Sequence, residues 1–64
     1  MRAGDIAVLM DEHVGVDDSL RSCVLSPGDS GLVISVYDEN NTTALLISDV
    51  VVYVETTSIE KLEV

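Results

Sequence analysis

The chain has no tryptophan, no phenylalanine, one cysteine and one proline, and its basic side chains number three against twelve acidic ones. Each scarcity excludes something. With Cys23 as the single thiol, an internal disulfide and every multi-cysteine zinc pattern are ruled out. The three cations are Arg2, Arg21 and Lys61, in a chain of net charge -9. A duplex is bound through its phosphates by Lys and Arg that release counterions, so no direct nucleic-acid binding is expected. An acidic surface suits solubility or a basic protein partner instead. The longest apolar runs, 44–47 and 50–54, fall far short of the roughly 20 residues that span a bilayer. The opening meets Asp5 before any apolar stretch and does not read as a signal peptide. No membrane partner is expected, and the expected location is cytoplasmic.

What is present points to strands. The sequence has 64 residues, enough for one domain over 1–64, and its 47% hydrophobic content is too high for disorder. Valine is the commonest residue, and branched side chains favour a pleated surface. Turn formers punctuate the chain at Gly4-Asp5, Gly15, Asp17-Asp18, Pro27-Gly28-Asp29, Asp38-Glu39-Asn40-Asn41 and Ser48-Asp49. The pattern predicts strands over 5–10, 31–37, 43–48 and 50–55, and a terminal strand over 62–64. Pro27-Gly28 predicts a type II turn, with Gly supplying the positive φ. Residues 11–19 carry four acids, a histidine and a glycine and read as a long loop. Residues 20–25 fit either a short strand or a helical turn, because Leu20, Cys23 and Val24 satisfy both periods. Ser58 is placed to cap a 3-10 turn over 59–61.

Three segments carry a resemblance. Gly4-Asp5-Ile6-Ala7-Val8 is similar to the G-D-x-V-x-V opening of many small barrels. The run from Pro27 to Val36 resembles the P-G-x-x-G-x-V-x-x-V segment of KOW-like modules. The closing run from Thr57 to Val64 is similar to a 3-10 turn leading into L-x-V. In that order and spacing they resemble an SH3-like small barrel. The resemblance implies an all-β, five-stranded SH3-like small barrel with a long first loop and a 3-10 turn before the last strand. It also implies a place among the short stand-alone barrels of phages and bacteria, some of them virion-associated, so the location becomes host cytoplasm or virion if the source is a phage. With Tyr37 and Tyr53 as the only aromatics, the groove that docks proline-rich helices is missing. The loops are acidic, unlike those of KOW modules that touch RNA.

Few residues offer chemistry. Asp11-Glu12-His13 is a site-like cluster, but neighbouring residues alternate in direction, and a metal needs three or more converging ligands. Asp38-Glu39-Asn40-Asn41 has oxygen ligands, yet lacks the glycine and distal glutamate of a calcium loop and reads as a hairpin tip. Cys23 has no base beside it in sequence, with His13 ten residues away, and reads as a small buried hydrophobe. Gly28-Asp29-Ser30-Gly31 lacks the lysine of a phosphate loop. No catalytic residue, metal or cofactor is assigned, and no enzyme is expected.

The late strands are the informative feature. Residues 44–47 and 50–54 are apolar on both faces, whereas a strand wetted on one side alternates. In the preferred register this leaves Leu46 or its neighbours, Val51 and Tyr53 outward, and a one-residue slip would reverse every side chain. A patch of about 400 Å² is worth about 10 kcal/mol gross if covered. The cover is either the long first loop, with Val14, Val16 and Leu20, or a second protein chain. The expected function is a non-catalytic protein-interaction or assembly module with its interface at Leu46, Val51 and Tyr53. The alternatives are an acidic nucleic-acid mimic that inhibits a basic DNA-binding protein, and a small adaptor subunit of an electron-transfer complex.

Overall fold

Strands form where branched residues recur between turn formers. The computed structural model describes residues 1–62, His13 by its backbone. It contains β1 (Ile6–Leu9), β2 (His13–Asp17), β3 (Ser22–Leu25), β4 (Ser30–Tyr37), β5 (Thr42–Ile47), β6 (Val50–Glu55) and β7 (Ile59–Lys61). All are joined antiparallel in one sheet of order β3-β2-β6-β5-β4-β1-β7. The all-β expectation holds. Two parts of the fold expectation need correction: the strands number seven, not five, and the sheet is open, not a closed barrel. Closure needs a ladder between the end strands. Those are β3, of four residues, and β7, of three, and among the described residues each pairs with one neighbour.

One extra strand, β2, comes from the segment read as a loop, and the other, β3, from residues 20–25. Val14, Gly15 and Val16 alternate in burial, so this stretch meets β6 as β2, with Val16 opposite Tyr53 and Asp17 opposite Val52. Gly15 permits the approach: a Cβ there would sit 2.6 Å from Val52 Cγ1. Residues 20–25 resolve as strand rather than helical turn, because β3 finds a ladder on β2. The end of the chain is also shifted. The 3-10 turn covers Thr56–Ser58, and 59–61 is strand. Ile59 is buried opposite Leu9, so it must lie in the ladder, and the polar Thr-Thr-Ser absorbs the turn. Of the terminal strand expected over 62–64, Leu62 donates its N–H to the Ile6 carbonyl at 2.8 Å; Glu63 and Val64 lie outside the described residues.

The sheet wraps one core of Ala7, Leu9, Leu25, Val33, Leu45, Val52, Val54 and Ile59, with Cys23, Val36 and Ile47 packed at its margin. The buried Thr43 hydroxyl is satisfied by Thr56 Oγ1 at 2.8 Å. The Pro27-Gly28 turn forms as its residues require: Gly28 has φ +94°, and Asp29 donates its N–H to the Ser26 carbonyl.

Ser48 and Asp49 both adopt positive φ, 50° and 66°, in the two-residue connection of β5 to β6. That backbone favours Asn-Gly and costs L-residues with a Cβ. Replacing the pair, Ser48→Asn with Asp49→Gly, is expected to raise stability by about 0.5–1 kcal/mol. Urea unfolding measures it; a double variant no more stable than the parent would show that the turn is unstrained.

Candidate functional site

The outer face of the sheet is set by strand alternation and register. Directly opposed residues of paired strands share a face. Leu32 is opposite Ile6 on one side and Leu46 on the other, and Leu46 is opposite Val51. One apolar row therefore crosses β1, β4, β5 and β6, as Ile6-Leu32-Leu46-Val51. Leu62 stands beside Ile6 at its end. A second row runs Ser35-Ala44-Tyr53-Val16-Ser22 across β4, β5, β6, β2 and β3. The ladder skips Ile34, between Val33 and Ser35, and leaves it exposed. Such an extra residue in one strand is the geometry of a bulge.

The three residues singled out by sequence lie on this face. Leu46 and Val51 are half-buried and adjacent in the first row; Tyr53 is exposed in the second. The sequence reasoning missed Ile6, Leu32 and Val16. Their signal was present, since each is an apolar residue at the outward phase of its strand, but the phase depends on which strands are neighbours.

The long first loop does not cover these rows. It forms β2, which with β3 makes a hairpin that extends the sheet sideways from β6. Its own Val14 and Val16 are exposed, and Leu20 at the hairpin tip is 86% exposed. The face is bordered by acids: Glu60 is opposite Val8, and Glu55 is two residues beyond Tyr53.

The other candidate residues fall elsewhere. Asp11 and Glu12 are exposed before β2, and the His13 backbone pairs with Leu25. Asp38–Asn40 form a 3-10 turn closed by Asn41 at φ 50°. Cys23 sits half-buried on β3, its Sγ 3.9 Å from the Arg21 carbonyl. Among the described residues no three His, Cys, Asp or Glu side chains gather as a metal site, and no helix is long and apolar enough to cross a membrane. No family model matches the chain, and no curated protein or solved structure matches it either.

Proposed function

We propose that this chain is a non-catalytic protein-interaction or assembly module that docks through the outer face of β5 and β6. The observation that carries the reading is the apolar row Ile6-Leu32-Leu46-Val51, continuous across four strands and left open by the β2–β3 hairpin. Contiguous apolar surface of this kind marks an interaction site on a small domain. Burying it in an assembly also adds core to a chain whose own core is small. Glu60, opposite Val8 at its margin, favours a partner with basic residues around an apolar centre. The meander β4-β5-β6, with β7 returning beside β1, supports an SH3-like strand order. The β2–β3 hairpin takes the place of the long first loop.

The test is solution mass by light scattering, at low and high salt, for the wild type and Val51→Lys. The expected result is a wild-type mass that Val51→Lys lowers while leaving the circular dichroism unchanged. A monomer whose mass and apolar-dye binding ignore the mutation would overturn the reading. Salt-sensitive binding of that monomer to a basic DNA-binding protein would move the assignment to the acidic mimic.

A further inference from the structure

The two ends of the sheet differ in how they meet solvent. An open edge strand offers unpaired backbone groups to another chain, and charge on the strand normally discourages this. The β7 end carries Glu60 and Lys61, both exposed, with Lys61 Nζ 3.9 Å from Asp5 Oδ1. The β3 end carries Ser22, Cys23, Val24 and Leu25, with no charge, proline or glycine within the strand. It lies in residues 19–28, the longest stretch of the chain without an acid, which holds Arg21. Val24 is 73% exposed.

The direction of the backbone groups on β3 follows from its ladder. Asp17 donates its N–H to the Arg21 carbonyl at 2.9 Å, so Asp17 and Arg21 are a hydrogen-bonded pair. Antiparallel ladders alternate bonded and non-bonded pairs. Gly15–Cys23 and His13–Leu25 are then bonded pairs, while Val16–Ser22 and Val14–Val24 are not. The N–H and C=O groups of Ser22 and Val24 therefore point away from β2, toward the open side.

This arrangement is complementary to itself. We propose that β3 is a docking edge for a second copy of this chain, the two strands pairing antiparallel about a two-fold axis at Cys23. Ser22 of each copy then exchanges both backbone hydrogen bonds with Val24 of the other. Cys23 faces Cys23 of the second copy as a non-bonded pair, with Cα atoms about 4.5 Å apart. That spacing lies within the range a disulfide accepts, about 4.4–6.8 Å.

Charge selects this edge for self-pairing. Two chains of net charge -9 repel one another, and the repulsion is least where acids are fewest. Salt shortens its range, from about 30 Å at 0.01 M to about 8 Å at 0.15 M. The dimer therefore strengthens with salt, whereas docking of a basic partner weakens. A four-residue pairing is small, so the dimer is a weak one of micromolar or lower affinity. This edge is separate from the outer face, and either assignment stands without the other.

The experiment uses the full chain. Sedimentation equilibrium of the reduced full chain carrying Val51→Lys, which blocks the outer face, is expected to show a 6.9 kDa monomer in exchange with a species of twice that mass, the dimer fraction rising with salt. Val24→Pro removes an edge donor without touching the β2 ladder, and is expected to abolish the dimer. Val24→Lys places a charge at the edge and serves if the proline variant fails to fold. Val51→Lys is expected to leave the dimer in place, which separates this edge from the outer face. Diamide supplies a second readout. Two Cys23 thiols lose two protons and two electrons to its N=N bond, which becomes a hydrazine as the S–S bond forms. Covalent dimer is expected to form at least tenfold faster in the wild type than in either Val24 variant. A wild type that is monomeric at high salt and crosslinks no faster than Val24→Lys would overturn the proposal. So would a dimer that persists in a folded Val24→Pro.

Discussion

Gly31→Ala is expected to lower stability by about 2–3 kcal/mol, the upper part of the range for overpacking a well-filled core. Gly31 is buried in β4, opposite Ala7 of β1. A Cβ at this position would lie 2.6 Å from Ile47 Cγ1 and 2.8 Å from the Leu46 carbonyl oxygen. The first contact is a side-chain tip that can turn aside. The second is backbone, fixed in the β4–β5 ladder where Leu32 pairs with Leu46. Relief therefore means moving one strand of the central pair. Gly15→Ala is milder: its shortest contact is the Val52 side chain, and the Tyr53 carbonyl stands off at 3.1 Å. At Gly4 and Gly28 an added Cβ meets nothing within 4 Å, and the cost there is the left-handed backbone alone, φ +95° and +94°, about 1–2 kcal/mol each. Urea unfolding of the four alanine variants ranks them. If Gly31→Ala costs less than about 1 kcal/mol, β4 and β5 have room between them and the close approach is not what the glycine serves.

The strands that were legible in the sequence are those bounded by turn formers and filled with branched residues. The range expected for β6, 50–55, is the one observed, because Ser48-Asp49 and the Thr-Thr-Ser after Glu55 mark both ends. The second strand was hidden by its acids. Asp11, Glu12, Asp17 and Asp18 make residues 11–19 read as solvated loop, yet Asp17 is only 8% exposed and Val14-Gly15-Val16 lies in a ladder. One buried acid with a backbone task thus disguises a strand as a loop. The last strand was misplaced by three residues, because Ile59 was assigned to the 3-10 turn when its burial against β1 requires it in the sheet. The failure of 44–47 and 50–54 to alternate marks an apolar outer face, but not which residues of each strand face outward. The neighbours Ile6, Leu32 and Val16 on that face were not readable either, since a face is shared only once register is known, and a one-residue slip reverses it. The β3 edge was invisible for the same reason. Whether a strand lies at an edge is a property of sheet order, which no local pattern in residues 20–25 encodes.

Asp17→Ala is expected to cost about 2–3 kcal/mol, and to spend most of it on one part of the sheet. Asp17 Oδ1 accepts the N–H groups of Ser19 and Arg21, each at 2.9 Å. The Asp17 carbonyl accepts the Leu20 N–H at 3.0 Å, and Leu20 is held at φ 63°. The carboxylate is thus the peg on which the hairpin tip turns. Hydrogen bonds to a charged group are worth about 1.5–3 kcal/mol net, and alanine removes the one acceptor of both bonds while the strained Leu20 remains. The Arg21 guanidinium, 3.5 Å from Oδ2, adds little because it is 78% exposed. Asn keeps one oxygen in the same place without the charge, so Asp17→Asn is expected to lose about half as much. Where the cost falls follows from topology. The register between β2 and β6 joins two residue pairs, whereas β5 and β6 join along six. A loosened hairpin therefore peels away before the central strands open, as a local rather than a global event. Hydrogen exchange is expected to quicken in β2 and β3 by ten-fold or more in Asp17→Ala, and by less in β4, β5 and β6. Uniform acceleration would mean that the hairpin and the central meander unfold as one unit. An Asp17→Asn variant as stable as the wild type would mean that the charge plays no part. The same variant bears on the docking edge, because β3 is held in the sheet through β2 alone. If Asp17 holds the hairpin closed, its removal also weakens self-pairing at Cys23 while leaving the Ile6-Leu32-Leu46-Val51 row in place.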